Sequence, residues 1–427
     1  MKNKNPKASS DTIAIIGLGY VGLPLAIEFG KIYPTIGFDI NPKRIAELQK
    51  GFDHNEEIKD FKKSQFLNLT DNPSHLKKAN IFIIAVPTPV DKYKKPDISI
   101  LLKASELVAK AMKKGDIIIY ESTTYPTCTR KECVPVLETI SQLKFNHDFF
   151  VGYSPERINP ADTIHTLTNI TKVTSGSTQK SAQKINALYQ SIINSTYLAP
   201  SIEVAEAAKA IENAQRDLNI AFVNELCIIF DKLGINTHEV LKTAQTKWNF
   251  LPFTPGLVGG HCISVDPYYL VHIANVYGYH PKVISSGRFI NDYMPSFIAQ
   301  KFIKLLIRQE INPRGAKVAI FGASFKENCK DIRNAKVFEV ESELKDFGCK
   351  VQMYDSIINP HQALAEYQRQ VLPLSQINHS FDAIILAIPH QEFLNFNYQS
   401  FLKKRGFIFD LKGVLKPKNE CVPIFKL

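Results

Sequence analysis

Among the seven cysteines of this 427-residue chain, Cys262 has the barest surroundings. The stretch GLVGGHCISVDPYYL (256–270) places three glycines before it and an aspartate, Asp266, four positions after it. The stretch lacks apolar periodicity and reads as a loop, where reacting residues are over-represented. A cysteine taken at random is a core residue. A thiol of ordinary pKa, about 8.5, needs a neighbouring cation to ionise near neutrality. Lys209 and Asn213 offer one: they stand four residues apart in a helical stretch, hence on one face, with Ala205 and Arg216 on the same stripe. Alone, Lys209 reads as an exposed helix lysine. Together with Cys262 it reads as the partner of a thiol.

A nucleotide signal lies near the start. GLGYVG (17–22) follows the apolar run IAIIG and opens a helical stretch. In that context Gly17 makes the turn, Gly19 lets backbone approach a pyrophosphate and Gly22 packs helix on strand, with positive potential from the helix N-terminus. Asp39 ends the next strand, where a ribose diol is read; its charge repels a 2′-phosphate, so NAD is expected rather than NADP. Arg44 reaches the adenosine side of that cofactor or is an exposed helix arginine. In the second half, GASFKENCKDIR (322–333) has one early glycine followed by Lys326, Lys330 and Arg333. It reads as the site of a second anionic ligand held by side-chain cations, or as a solvated charged loop.

A dinucleotide and a thiol in one chain define a chemistry. Hydride removal from an alcohol gives an aldehyde, which yields no second hydride until something adds to its carbon. A thiolate adds, the thiohemiacetal loses the second hydride, and water cleaves the thioester. Asp266 is the candidate base for that water, and Lys209 with Asn213 the candidate stabilisers of the developing alkoxide.

Short apolar runs must position these groups. IAIIG (13–17), a run ending in FDINP (38–42), IFIIAVP (81–87) and DIIIY (116–120) alternate with helical patterns, the signature of a doubly wound parallel sheet. The order returns as VAIFG (318–322), VQMYDSIINP (351–360), AIILAIP (383–389) and FIFDLKG (407–413). The expected fold class is α/β, with two Rossmann-like doubly wound parallel-sheet domains joined by a long central helix. Residues 201–233, without Pro or Gly, run about 50 Å as one helix. Ser201 caps its start and Gly234 supplies the turn at its end.

Apolar residues make up 44% and charged residues 22% of the chain, an ordinary globular balance. None of the apolar runs is long enough to span a bilayer. The polar, basic start MKNKNPKASSD reads as a frayed tail and not a signal peptide. The net charge of +11 is dispersed, which suits anionic small-molecule ligands or a solvated surface, and no nucleic-acid motif accompanies it. The cysteines are odd in number, with no CxxC and no zinc-spaced Cys/His set. No metal is expected, and a reducing cytoplasm is the simplest setting.

With GLGYVGLPLA, VPTP, EST, YSPERINP, EAAKAIENAQRDLNIAFVNE, the GGHCISVDPYY loop and GASFKENCKDIR, the chain resembles the UDP-glucose/GDP-mannose dehydrogenase family of nucleotide-sugar C6 dehydrogenases from about residue 12 to its end. The resemblance implies Cys262 as nucleophile, Lys209, Asn213 and Asp266 beside it, and Thr123 and Glu156 at the reacting centre. It implies Thr88, Thr123 and Arg333 near NAD. It implies UDP-sugar contacts from Glu156, Arg157, Lys209, Asn213, Phe253, Gly256, Gly259 and Lys326. Lys412 joins them or merely follows a strand; Arg288 joins them from another subunit or stabilises its helix. The implied organisation is a flexible tail (1–11), an NAD-binding Rossmann domain (12–200), a central helical and dimerisation domain (201–306) and a C-terminal UDP-sugar-binding Rossmann-like domain (307–427). A homodimer through the central helix follows from the same resemblance.

SPERINP and KWNFLPFTPGLVGGHC resemble the branch acting on UDP-N-acetylhexosamines, so UDP-N-acetylglucosamine or its galacto epimer is the expected substrate and surface polysaccharide the expected destination. Arg157 bonds an acetamido carbonyl or forms a structural ion pair. Two departures bear on selectivity: Ala161 replaces the glycine usual after Pro160, and Ser264 the glycine usual after Cys-Ile. His261 fills the thiol loop, and His54, His75 and His165 read as surface residues. The competing readings are a UDP-glucose or UDP-ManNAc 6-dehydrogenase, a single-step hydroxyacid dehydrogenase that needs no thiol, and a silent NAD-binding scaffold.

Overall fold

The computed structural model describes residues 11–53, 64–157, 167–377, 380–416 and 422–427. The expectations placed on the tail before residue 11, on His54, on Pro160 and Ala161 and on His165 lie outside these residues.

The apolar runs of the first half become strands because a β-branched run can be buried on both faces of a parallel sheet. They are β1 (Ile13–Ile16), β2 (Thr35–Phe38), β3 (Leu67–Thr70), β4 (Ile81–Ile84), β5 (Ile117–Tyr120) and β6 (Phe150–Tyr153), followed by β7 (Thr171–Gly176) and β8 (Ser195–Leu198). The sheet order is β3-β2-β1-β4-β5-β6-β7-β8. The first six strands are mutually parallel, and β7 runs antiparallel to β6. Strand order reverses between β1 and β4, where doubly wound sheets leave a ligand crevice at their carboxyl ends.

A second sheet uses β9 (Lys317–Phe321), β10 (Lys350–Tyr354), β11 (Val371–Leu372), β12 (Phe381–Leu386), β13 (Leu402–Asp410) and β14 (Ile424–Lys426), in the order β11-β10-β9-β12-β13-β14 and parallel throughout. That order matches the first six strands of the first sheet, as the repeated sequence pattern implies. The turns after β1 and β9 match as well. Gly17 and Gly322 have φ of +93° and +91°, and each N–H donates to a carbonyl of the next strand, Phe38 or Tyr354, at 2.9 Å. Asp39 accepts the Leu18 N–H at 2.9 Å, and Asp355 accepts the Ala323 N–H at 2.7 Å.

One residue separates the two turns chemically. His390 is fully buried. Its Nδ1 accepts the Asn328 N–H at 2.9 Å, so Nε2 carries the proton and donates to Asp355 at 2.9 Å. The carboxylate that stays partly exposed at Asp39 is closed off at Asp355. This is a physical reason for the missing dinucleotide fingerprint in the second half.

Residues 202–233 form one 32-residue helix, Ile202–Leu233, about 48 Å long. The Val204 N–H donates to the Ser201 hydroxyl at 3.2 Å, and Gly234 follows the last turn. The chain divides into two compact units, Met1–Glu212 with Tyr268–Tyr279, and Asn213–Pro267 with His280–Leu427. The central helix therefore begins in one unit and ends in the other. No helix among the described residues is long and apolar enough to cross a membrane.

Candidate active site

In the first unit, the glycine loop divides its work by position. A Cβ at Gly22 would lie 1.8 Å from the Gly17 carbonyl oxygen, so bare helix-on-turn packing demands that glycine. A Cβ at Gly19 would meet nothing within 4 Å. No packing among the described residues requires glycine there; the open space suits a pyrophosphate, and the loop fits a dinucleotide. Asp39 accepts N–H groups from Leu18 and Asn41, both at 2.9 Å. Arg44 is not an exposed helix arginine. It is 5% exposed, donates through Nε and Nη2 to the Leu18 carbonyl at 3.0 and 2.9 Å, and pairs through Nη1 with Asp53 at 2.8 Å. It braces the glycine loop from within the protein.

The VPTP and EST segments are tied together. The Thr88 hydroxyl donates to the Thr123 carbonyl at 2.7 Å, and the buried Tyr269 hydroxyl donates to the Thr88 carbonyl. Beyond Thr123, a single π-helical turn (Thr129–Cys133) is gripped by Glu206 of the central helix. Glu206 accepts the Thr127 N–H at 2.6 Å, the Thr129 N–H at 2.9 Å and the Thr124 hydroxyl at 3.3 Å. Burial pushes its pKa up to about 7 against the lowering effect of those bonds. Lys209, one helical turn further, is 8% exposed, so the reading of an exposed helix lysine is corrected. Arg216, on the same expected stripe, is exposed.

Glu156 follows β6 and lies 3.5 Å from the buried ammonium of Lys172. Arg157 grips Glu212 at 2.8 and 3.2 Å and donates to the Thr171 carbonyl at 2.8 Å. Of the two readings for Arg157, the structural ion pair is the one present.

In the second unit, the Cys262 carbonyl accepts N–H groups from Val265 and Asp266 at 3.0 and 2.8 Å, a turn that runs into the helix Asp266–Val276. The partly exposed cysteine thus stands just before a helix N-terminus. Asp266 is 2% exposed, and its Oδ2 accepts the Asn213 side-chain N–H at 2.5 Å. Ser264 is built into the loop: its hydroxyl donates to the Gly260 carbonyl at 2.6 Å and accepts from Asn334 at 2.7 Å. His261 does more than fill space. Its Nε2 lies 3.4 Å from Arg333, and its Nδ1 lies 3.5 Å from Asp331. Arg333 pairs with Asp331 at 2.6 Å. Burial would push Asp331 up, but the bonds and charge of Arg333 outweigh it and hold the carboxyl below its usual range.

A cavity of about 610 Å³ lies among Thr254, Glu327, Asn328, Asn395, Lys412 and Lys416. That volume suits a small-molecule site. Lys412 lines this cavity rather than merely following its strand. A Cβ at Gly256 would come within 2.9 Å of the Lys412 Nζ, so the glycine makes room for it. Phe253 precedes Thr254 in the FTPG loop, and Lys326, its ammonium 5.6 Å from the Phe325 ring centroid, precedes Glu327. Gly259 abuts Asn334, whose carbonyl oxygen would lie 2.6 Å from an added Cβ. The FTPG loop is held by Asn224, which exchanges bonds with Gly256 at 2.8 and 3.1 Å and donates to Asn291 at 2.8 Å. Arg288 is 2% exposed and paired with Asp217 and Asp292, both at 2.6 Å, so it braces its own unit, the helix-stabilising one of its two readings.

Several residues of these networks carried no assigned role in the sequence reading. Glu121 and Glu206 stand inside the quoted EST and EAAK motifs, and Asn224 inside VNE. Lys172 had no local signal, being a lysine at the start of an ordinary strand.

Comparison with known proteins accounts for both sheets and the helix between them. Residues 11–193 match the NAD binding domain of the UDP-glucose/GDP-mannose dehydrogenase family, residues 203–293 its central domain and residues 319–417 its UDP binding domain. A UDP-N-acetyl-D-glucosamine 6-dehydrogenase of Salmonella typhi is 52% identical over 417 residues, covering 96% of this chain and 98% of that protein. One of Pseudomonas aeruginosa is 51% identical over 410 residues, covering 94% and 97%. The solved UDP-D-ManNAc dehydrogenase of Pyrococcus horikoshii superposes with a TM-score of 0.87 at 31% identity, covering 97% of this chain and 98% of that one. Matched in all three domains, this chain belongs to the UDP-glucose/GDP-mannose dehydrogenase family and is an NAD-dependent nucleotide-sugar dehydrogenase.

Proposed function

We propose that this chain oxidises C6 of UDP-N-acetylglucosamine, or of its galacto epimer, to the uronate, using two NAD and one water per sugar. The full-length similarity to two UDP-N-acetyl-D-glucosamine 6-dehydrogenases supports the substrate. The observation that carries the chemistry is the thiol loop, where Asp266 closes a turn on Cys262 and holds Asn213 at 2.5 Å.

The glycine loop, Asp39 and Thr88 would hold NAD, which when bound would supply the acceptor for the two hydrides removed from C6. The protein's own groups do the rest. Lys209 and Asn213 hold the C6 oxygen as it gains charge. The Cys262 thiolate adds to the aldehyde carbon and keeps the acyl group as a thioester. Asp266 takes the proton of the water that cleaves it, with Thr123 and Glu156 at the same centre. Lys326 and Lys412, with Phe253, Gly256 and Gly259, receive the UDP moiety, Lys412 from the wall of the cavity. Arg333, paired with Asp331 beside His261, is assigned to the NAD side of the site. The Arg157 N–H holds Glu156, while its guanidinium is held by Glu212 and the Thr171 carbonyl.

The segment 201–306 serves dimerisation. Exposed apolar side chains on the central helix, Ile211 and Phe222 at 56% and Ile229 at 44%, support a homodimer built on it. The enzyme acts in the cytoplasm and feeds surface polysaccharide.

A panel of UDP-sugars scored by NADH stoichiometry tests this. Two NADH per UDP-N-acetylhexosamine is expected. One NADH per sugar, or full activity of Cys262→Ala, favours a single-step dehydrogenase. Preference for UDP-glucose or UDP-ManNAc moves the substrate, and NAD binding without turnover on any sugar favours a scaffold.

A further inference from the structure

Three ionisable side chains and a phenol meet in the first unit at the carboxyl ends of β5 and β6. Glu121 directly follows β5, Glu156 lies just past β6, and Lys172 is the second residue of β7. Because β7 runs antiparallel to β6, its first residues, rather than its last, lie at that end of the sheet. The reversal delivers Lys172 to the edge where doubly wound sheets bind ligands.

Lys172 is fully buried, with Nζ 2.5 Å from Glu121 Oε2 and 3.5 Å from Glu156 Oε2. The Tyr189 ring, on the helix Gln179–Gln190, lies 5.5 Å from the ammonium, and its hydroxyl donates to the other oxygen of Glu121. The Glu121 side chain is fully buried, whereas that of Glu156 is 12% exposed, so of the two carboxylates Glu156 is the one reached from outside. On the other side, the Arg157 N–H donates to Glu156 Oε1 at 2.6 Å while the guanidinium is turned to Glu212 and Thr171. An ion pair buried only for stability is replaceable by apolar groups of the same volume. Here one ammonium serves two carboxylates, one fully buried and one partly exposed. Burial pushes Glu121 up to about 7, with Lys172 opposing and Glu156 adding to the rise. Burial alone would depress Lys172, but Glu121 and Glu156 outweigh it and raise it.

We propose that Lys172, seated on Glu121, is a positioning residue of this dehydrogenase whose ammonium holds the Glu156 carboxylate in place. The inference rests on the reading that puts Glu156 at the reacting centre. Without the ammonium, two carboxylates face each other and one must keep a proton; without the Glu121 charge, Glu156 has the ammonium to itself.

The experiment is the pH profile of kcat for the full-length enzyme with UDP-N-acetylglucosamine and NAD, in Lys172→Met, Glu121→Gln and Glu156→Gln, with circular dichroism confirming the fold of each. Lys172→Met is expected to move the acid limb up by about one pH unit or more and to lower kcat at pH 7 about tenfold, with KM for NAD held within about twofold. Glu121→Gln is expected to move the limb down. An acid limb that stays in place in both folded variants overturns the inference. Where Lys172→Met does not fold, Glu121→Gln decides, and a limb that stays or rises overturns it. Glu156→Gln separates the two levels. If it keeps wild-type turnover and profile, the reading of Glu156 falls and the inference with it. If it is impaired while the other two variants keep the wild-type limb, only the inference falls.

Discussion

Substituting alanine at Gly19 and at Gly22 gives opposite expectations from the same motif. At Gly22 the new Cβ would stand 1.8 Å from the Gly17 oxygen, whereas real Cβ contacts essentially never fall under 3.0 Å, so about 1.2 Å must be recovered by moving the turn or the helix. Overpacking of this kind costs about 1–3 kcal/mol. Gly22→Ala is expected to lose that much stability in urea and to lose NAD binding as a consequence. At Gly19 the Cβ meets no atom within 4 Å, and the backbone is not in the positive-φ region, so alanine is accommodated. Gly19→Ala is expected to keep its stability within about 0.5 kcal/mol. Its methyl nonetheless occupies the space left for the pyrophosphate. NAD affinity is expected to fall about tenfold or more, equivalent to about 1.4 kcal/mol. Isothermal titration with NAD and urea unfolding on both variants separate the effects. Unchanged NAD affinity in Gly19→Ala would refute the assignment of that open space to the cofactor. A destabilised Gly19→Ala would refute the claim that no packing requires the glycine.

Cys262→Ala is expected to retain the fold and NAD binding but to lose about 10³-fold or more in steady NADH production; a smaller loss removes the thiol from the mechanism. Asn224→Ala abandons the Gly256 N–H and the Asn291 carbonyl oxygen inside the second unit. It is expected to cost about 3 kcal/mol in urea unfolding and to raise KM for the UDP-sugar while leaving NAD binding intact. Glu206 governs a pH dependence. Its folded pKa, pushed by burial up to about 7, exceeds the ordinary 4.5. Between those values the folded state keeps a proton that the unfolded chain releases. The group's stabilisation is therefore fullest below pH 4.5 and is lost as pH rises through 7, by at most about 3 kcal/mol. Unfolding free energies at pH 5 and pH 8 should differ less in Glu206→Gln than in the wild type, and equal differences would contradict the assignment.

Much of the scaffold was legible because its signals are local. IAIIG, IFIIAVP and DIIIY are short β-branched runs bounded by glycine, proline or charge, and such runs are stable only as strands covered on both faces. GLGYVG specifies its turn through the absence of side chains. The Gly- and Pro-free stretch after Ser201 leaves the helix no interior point at which to break. Cys262, Asp266, Lys209 and Asn213 drew attention by spacing alone, and of these Asn213 and Asp266 meet by a hydrogen bond in the second unit.

Other assignments depended on partners far away in sequence. Arg44 and Arg288 each carried two readings in the sequence, and only the fold surrounds them with Leu18 and Asp53, and with Asp217 and Asp292. Arg157 offered two partners, and the chain supplies Glu212. Lys172 became notable only because one antiparallel strand carries it to Glu121 and Glu156, 51 and 16 residues away. Residue type, period and spacing are properties of neighbours along the chain, so they set the elements and the thiol loop. The charge state and availability of a side chain depend on burial and on groups brought from elsewhere, and only the folded arrangement supplies those.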